Sequence, residues 1–350
     1  MEQIIRQSYG IDISKLDFSV CLASLLPSGK CLFSKVEKFS NNRNGFNQLL
    51  KWSRKMGDST IFSCFVMEAT GVYYEALAYH LHKLKKPVSV LLPNKVKHFA
   101  KSLNIATKTD SIDARIISRL GVERQLQTWT PPSPVFKKLR DLTRLCSDLK
   151  QECTVYKNRN ECVSCGVDVH PFIKKTNTRL LSELKKQIKK CEQEILKLIK
   201  SEPWLLEKVN KLSTIKGVGF VAITTIIAET QGFALIKNRK QLASYAGYDI
   251  VEKESGTSVK GRTRISKRGN SRIRASLHFP ALVASRYNSE LKQDYLRIIE
   301  NKPSKMIGIT ALQRKLLLLM YTLWKKDEIY LEPELRISDN KEIKSLLCQE

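Results

Sequence analysis

Acid is scarce in this 350-residue chain: 34 Asp and Glu stand against 61 Lys and Arg, a formal net charge of +27. An imbalance of that size is unusual for a metabolic enzyme and points to a polyanionic partner, most simply nucleic acid. Long apolar runs are also missing, and stretches such as residues 217–228 fall short of the roughly 20 residues a bilayer crossing takes. The start, MEQIIRQSYGID, carries no apolar signal-peptide core. Neither a basic amphipathic helix nor a lipidation signal marks a membrane-surface protein. The nine cysteines are scattered, and only Cys162 and Cys165 form a C-x-x-C pair, with no second pair at zinc-ribbon spacing. The expectation is reduced thiols in a cytoplasmic protein, without structural zinc and with no membrane partner. A nucleotide loop is lacking too. Gly256 and Gly261 have Walker A spacing, but Arg262 stands where lysine is required and no apolar strand precedes.

What is present begins with alternating apolar runs. Residues 8–13, 18–25 and 31–39 read as strands, with Pro27-Ser28-Gly29 as the turn between the second and third. A helix is expected over 45–55, a buried strand over 60–67 ending at Glu68, a strand over 87–92, and a helix from about Asn94. KTDSIDAR, residues 108–115, opens a last helix running to Leu120. Asp110 and Asp113 stand three apart on one face of that helix. They could be ordinary acids at a helix start, favoured by its dipole. They keep company, however, with Asp12 inside the first strand, where an unpaired acid is expensive. Glu68 joins them at a strand's C-terminal edge, where open α/β sheets bind ligands. Oxygen ligands of this kind suit Mg²⁺ or Mn²⁺. Strand order and acid placement together are the layout of a ribonuclease H-like nuclease core. His80 and His82, on the intervening helix, read as solvated or packed rather than catalytic.

Thr130-Pro131-Pro132-Ser133-Pro134 is a hinge. Beyond it, Leu139, Leu142, Cys146, Leu149, Cys153 and Tyr156 recur at alternating spacings of three and four. Leu181, Leu184, Ile188, Cys191, Ile195 and Leu198 do the same. Both are heptad seams, so two long helices are expected to pair as an antiparallel coiled-coil arm, as a simple hairpin or for self-association. The stretch LSTIKGVGFVAITTIIAE from Leu212 resembles a helix-hairpin-helix, whose glycine turn presents N–H groups to a phosphate or permits close helix packing. KQLASYAG reads as a short helix with a glycine stop, and residues 307–324 as an apolar helix before a charged tail. Residues 253–274 hold eight Lys or Arg against one Glu. Lys260, Arg262, Arg264, Lys267, Arg268, Arg272 and Arg274 are the expected nucleic-acid contacts. A serine in such a loop could attack a phosphodiester, with nearby cations stabilising the developing charge. The residues alone do not separate Ser255, Ser258 and Ser266.

YGIDISK, MEATGVY, LPNKVKHFAKS and KTDSIDAR resemble the N-terminal domain of the DEDD transposases of the insertion-sequence 110 family, which includes the Piv-type DNA invertases. IKGVGFVAITTIIAE, KQLASYAGY and ESGTSVKGRTRISKRGNSRIR resemble that family's C-terminal domain, in the same order. The resemblance implies an α/β plus α chain: a RuvC-like domain over 1–129, an arm over 134–205, a mostly helical transposase domain over 206–327 and a tail over 328–350. It places the family's acid tetrad on Asp12, Glu68, Asp110 and Asp113, as ligands of Mg²⁺ or Mn²⁺. It places the nucleophile on Ser255. It implies an enzyme that cuts and rejoins donor and target DNA through a serine–DNA linkage, guided by an element-encoded structured RNA. It implies a bacterial cytoplasmic protein, on the nucleoid when bound to DNA, that is a dimer or, on nucleic acid, a tetramer whose subunits share sites. Two other functions fit the same residues: a junction-resolving nuclease using metal-activated water, and a non-catalytic nucleic-acid scaffold.

Overall fold

The computed structural model describes residues 3–331 except 106, 108, 235, 253, 256–258 and 262, and gives only the backbone of 254, 255, 259 and 260. The chain divides into two compact units, Met1–Pro131 and Pro132–Glu350.

The first unit is a six-stranded sheet with helices on both faces. Strands β1 (Arg6–Ile13), β2 (Asp17–Leu25), β3 (Cys31–Phe33) and β4 (Glu37–Ser40) are followed by α1 (Arg43–Met56). Then come β5 (Ser63–Glu68), α2 (Glu75–Lys83), β6 (Val88–Leu91), α3 (Pro93–Ser102) and α4 (Asp110–Glu123). The strand order is β3-β2-β1-β5-β6, with β4 also on β2. β1 runs antiparallel to β2 and parallel to β5, which is parallel to β6. This is the ribonuclease H-like arrangement expected from the sequence.

Strand alternation sorts the residues between faces. Tyr9, Ile11, Ile13, Phe65 and Met67 enter one core with Phe46, Leu49, Leu77 and Leu81 of α1 and α2. Val66 and Leu91 enter the other with Val96, Phe99, Ile116, Ile117 and Leu120 of α3 and α4. One expectation is corrected. Residues 31–39 form two strands, not one, because Ser34 interrupts the ladder. Its amide donates to the Leu22 carbonyl at 2.9 Å, and its hydroxyl, in place of a backbone carbonyl, accepts from the Leu22 amide at 3.0 Å.

The second unit opens with two long helices, α5 (Pro134–Cys165) and α6 (Pro171–Lys200), packed against each other. Lys150 pairs with Glu192 at 2.7 Å, and the Cys191 thiol meets the Leu142 carbonyl at 3.2 Å. Leu139, Cys146, Cys191, Ile195 and Ile199 are buried in one core with the helices that follow. Farther out, Leu181, Leu184 and Ile188 are only half-buried, and Val167 and Phe172 are exposed. Next come α7 (Pro203–Ser213), α8 (Phe220–Glu229) and α9 (Arg239–Ala246), which stops at Gly247 with φ +76° as a left-handed cap. Four two-residue strands follow: β7 (Ile250–Val251), β8 (Glu254–Ser255), β9 (Val259–Lys260) and β10 (Arg264–Ile265). Helices α10 (Ser271–Ser276), α11 (His278–Tyr287), α12 (Ser289–Ile299) and α13 (Lys305–Lys326) complete the unit.

The expectation that apolar runs are too short for a membrane is corrected for α13. By length and composition alone it could cross one, whereas in the fold half of its apolar window is buried, with Leu312, Leu316, Leu317 and Met320 fully inside. Its apolar surface therefore serves the core. Residues 332–350 of the expected tail lie outside the described residues.

Candidate functional site

The acid edge is built by one close approach. A Cβ at Gly10 would lie 2.6 Å from Ser118 Cα and nearer still to the Ser118 amide and the Ala114 carbonyl. Gly121 likewise meets Ser8, with a Cβ 2.7 Å from the Ser8 Cβ. Thus α4 lies directly on β1, running opposite to it, with Gly121 over Ser8 and Ala114–Ser118 over Gly10. Two strand residues advance about 6.7 Å, the length of four to five helical residues. Asp12 therefore lies opposite the first turn of α4, where Asp110 and Asp113 stand. Thr109 sets that start: its side chain caps the helix by accepting from the Ile112 amide at 3.3 Å.

Glu68 reaches the same place from β5. Ile11 pairs with Met67, so one register step on brings Asp12 beside Glu68, on the face of Val66 and α4. All four acids thus stand at one edge of one sheet face. Asp12, Glu68 and Asp113 are half-buried and Asp110 is exposed. Among the described residues no three Asp, Glu, His or Cys side chains are gathered tightly enough to hold a metal ion. The fit of the site to a hard divalent cation therefore rests on donor chemistry and on this shared placement.

Two features of this edge went unread in the sequence. Asn41 clips the loops: its amide donates to the carbonyls of Ser14, two residues past Asp12, at 2.9 Å and of Tyr73, five past Glu68, at 3.2 Å. Gly10 and Gly121 set the helix–sheet distance, and a lone glycine in a strand was the available signal. Of the two histidines, His80 is half-buried, 5.4 Å from the Phe46 ring, and His82 is exposed, edge-on to Trp129 at 6.0 Å, so one is packed and the other solvated. Burial, then the charges of Arg43 and Lys83, push the His80 imidazole pKa down, which favours its neutral form.

In the second unit, Ser255 pairs with Val259 across the β8–β9 hairpin. Its side chain and that of Lys260, with all of Ser258 and Arg262, lie outside the described residues. Arg264, Lys267 and Arg268 are exposed. Arg272 reaches Asp148 at 3.0 Å, and Arg274 donates to the Ala246 carbonyl at 2.7 Å, finishing α9. Ser266 is engaged with Asp249, at 3.4 Å between side chains. A cleft of about 650 Å³ is lined by Arg144, Lys150, Arg272 and the Gly217–Gly219 turn. Gly217, with φ +93°, faces the α11 backbone, 3.1 Å from the Ala284 nitrogen to a built Cβ, while Gly219 faces open space. The turn thus serves close helix packing on one side and leaves the uncapped start of α8 free on the other.

Among the described residues, a buried carboxylate in α8 links α5 to the start of α10. The Glu229 side chain is 1% exposed and accepts both arms of Arg144, at 2.7 and 2.9 Å, and the Asn270 amide at 2.7 Å. Burial pushes its carboxyl pKa up, but the hydrogen bonds of Arg144 and Asn270 outweigh burial, so the net shift is downward. Glu229 is buried but the Arg144 side chain is 44% exposed, so solvent screens part of the pair. Arg144→Met leaves the carboxylate with Asn270 alone and is expected to cost about 1.5–3 kcal/mol in urea unfolding. A folded pKa below the unfolded one stabilises at higher pH. This contribution is complete above the unfolded glutamate value of about 4.3 and is lost as pH falls through the lowered folded value. Urea midpoints of wild type should therefore fall between pH 5 and pH 3, and those of Arg144→Met less steeply.

A ribonuclease H-like sheet with acids at one edge, in a chain this basic, defines a nucleic-acid enzyme. A family model described as a transposase, for the DEDD group of IS110, matches residues 9–163, and the model of the transposase IS116/IS110/IS902 family matches residues 209–296. The chain belongs to the IS110 family of transposases, and so to the enzymes of DNA recombination. It is similar to the pilin gene-inverting protein of Moraxella bovis, 29% identical over 323 residues, covering 91% of this chain and 95% of that one. The pilin gene-inverting protein of Moraxella lacunata matches with the same figures. Among solved structures, Thermus thermophilus RuvC in complex with a Holliday junction substrate is similar at 9% identity, covering 35% of this chain and 99% of that one, with a TM-score of 0.28.

Proposed function

We propose that this chain moves its own mobile element, cutting and rejoining DNA through a serine–DNA linkage, with Asp12, Glu68, Asp110 and Asp113 as its acid site and Ser255 as its nucleophile. The observation that carries the acid site is the packing of α4 on β1 at Gly10, which supports bringing acids from three separate segments to one sheet edge. Those acids would hold Mg²⁺ or Mn²⁺, which when bound supplies charge that eases ionisation of a hydroxyl and polarises a phosphate. The Ser255 oxygen bonds to phosphorus and gives up its proton, while the departing sugar oxygen takes one up. One ester bond replaces another, so a second strand's hydroxyl can reverse the step and free Ser255 without ATP. Lys260, Arg262, Arg264, Lys267, Arg268, Arg272 and Arg274 would hold nucleic-acid backbone, which fixes position rather than sequence. Sequence choice would come from base pairing to a structured RNA encoded at the element's end.

The test is incubation with the element's own end DNA, RNA transcribed from its non-coding end, and Mg²⁺, read on a denaturing protein gel. A protein–DNA adduct is expected. Cleavage without an adduct would identify a junction-resolving nuclease that uses water, and binding without cleavage a scaffold.

The arm of α5 and α6 is the assembly element in this reading, giving a dimer and, on nucleic acid, a tetramer. Leu149 and Ile188 are half-buried on the facing seams. Leu149→Lys with Ile188→Lys puts charge there, which is costly. Light scattering is expected to show wild type as an oligomer and the double variant as a monomer.

A further inference from the structure

The acid edge continues across the sheet into a cation. Asp12 pairs with Ser19 between β1 and β2, and Ser19 pairs with Lys38 between β2 and β4. Cross-strand partners share a face. With Glu68 one register step beyond Met67, the row on the α4 face reads Glu68, Asp12, Ser19, Lys38. The next row, Ile13, Phe18 and Phe39, faces the opposite core, which fixes the parity. Two strand spacings, about 10 Å, separate the Asp12 and Lys38 backbones, and only a small serine stands between them.

Lys38 is held where it is. Its ammonium lies 3.0 Å from Asp17, which in turn accepts from the Ser14 hydroxyl at 2.9 Å. The hydrogen bond and charge of Asp17, and then the charge of Asp110, raise the Lys38 pKa, so it stays cationic and within electrostatic reach of the first turn of α4. The Lys38 and Asp17 side chains are 59% and 35% exposed, and an ion pair of that kind adds little to stability. The carboxylates of Glu68 and Asp12 on this row, with Asp110 and Asp113 on α4, by contrast repel an approaching phosphodiester. A Lys38 ammonium that exchanges the partly exposed Asp17 carboxylate for the phosphate offsets that repulsion.

We infer that Lys38 is a further catalytic residue, whose ammonium contacts the phosphate of the DNA strand presented to the acids. This rests on the acid site proposed above. Lysine suits the role as a compact point charge on a flexible stem.

The experiment compares Lys38→Met, Lys38→Arg, Asp17→Asn and Asp110→Asn in strand cleavage of the element's end DNA, with Mg²⁺ and RNA, across DNA concentrations, alongside thermal unfolding. Lys38→Met is expected to cleave about a hundredfold more slowly at saturating DNA while unfolding at the wild-type temperature, and Lys38→Arg to recover most of the rate. Cleavage by Lys38→Met within about threefold of wild type, with Asp110→Asn inactive, overturns the role of Lys38 and leaves the acid site standing. Active Asp110→Asn overturns the acid site and this inference with it. If Lys38→Met melts early and Asp17→Asn loses stability and cleavage to the same extent, the pair serves the fold, and the inference is likewise overturned.

Discussion

Gly10→Ala is expected to slow strand cleavage about a hundredfold although it touches no acid. The added methyl would sit 2.6 Å from Ser118 Cα and closer to two backbone atoms of α4. Neither neighbour is a flexible side-chain end, so the helix itself must lift from β1. Overpacking of this kind costs about 1–3 kcal/mol, and backbone contacts place this case at the upper end. Because Asp110 and Asp113 ride on the first turn of α4, any lift carries them away from Asp12 and Glu68, and a displacement near 1 Å can cost about a hundredfold in rate. The check is paired: cleavage of end DNA, and unfolding followed by intrinsic tryptophan fluorescence. Trp52 and Trp129 report on the first unit, and Trp204 and Trp324 on the second. Fluorescence of Trp52 and Trp129, isolated by Trp204→Phe and Trp324→Phe, should show the first unit melting early. Wild-type melting with full cleavage would mean that α4 does not depend on this contact.

Much of this edge could be read in advance. The alternation of Tyr9, Ile11 and Ile13 against Ser8, Gly10 and Asp12 fixes which face the acid takes, because strand periodicity is local. Thr109 before Asp110 marks the start of α4 for the same reason: a cap acts within three residues. What could not be read depends on partners distant in sequence. The break between β3 and β4 comes from the Ser34 hydroxyl replacing a carbonyl opposite Leu22. The clip by Asn41 joins residues 14, 41 and 73. The row from Asp12 to Lys38 needs two strand registers at once. The arm shows the same limit: its heptads announce two long helices, but not that Leu139, Cys146 and Ile195 share a core with α7 to α13. Helix α13 is the converse case, since its composition alone fits a membrane helix and only its burial identifies it as a core helix.

Ser255→Ala is expected to eliminate the covalent protein–DNA adduct at any incubation time while leaving DNA and RNA binding intact. An alcohol is a weak nucleophile, and where one serves as the attacking group its loss is nearly total, on the order of 10⁶-fold in serine hydrolases. Binding should survive because Arg264, Lys267 and Arg268 are exposed and untouched, and phosphate contacts of that kind supply most nonspecific affinity. Two nearby serines make the test specific. Ser266 already engages Asp249 and accepts from the Arg268 amide at 3.2 Å, so Ser266→Ala should cost about 1 kcal/mol of stability and keep the adduct. Ser258→Ala should keep it as well. Peptide mapping of the wild-type adduct then has one expected answer, a nucleotide on Ser255. An adduct that persists in Ser255→Ala and vanishes in Ser258→Ala would move the nucleophile three residues along the chain without altering the acid site.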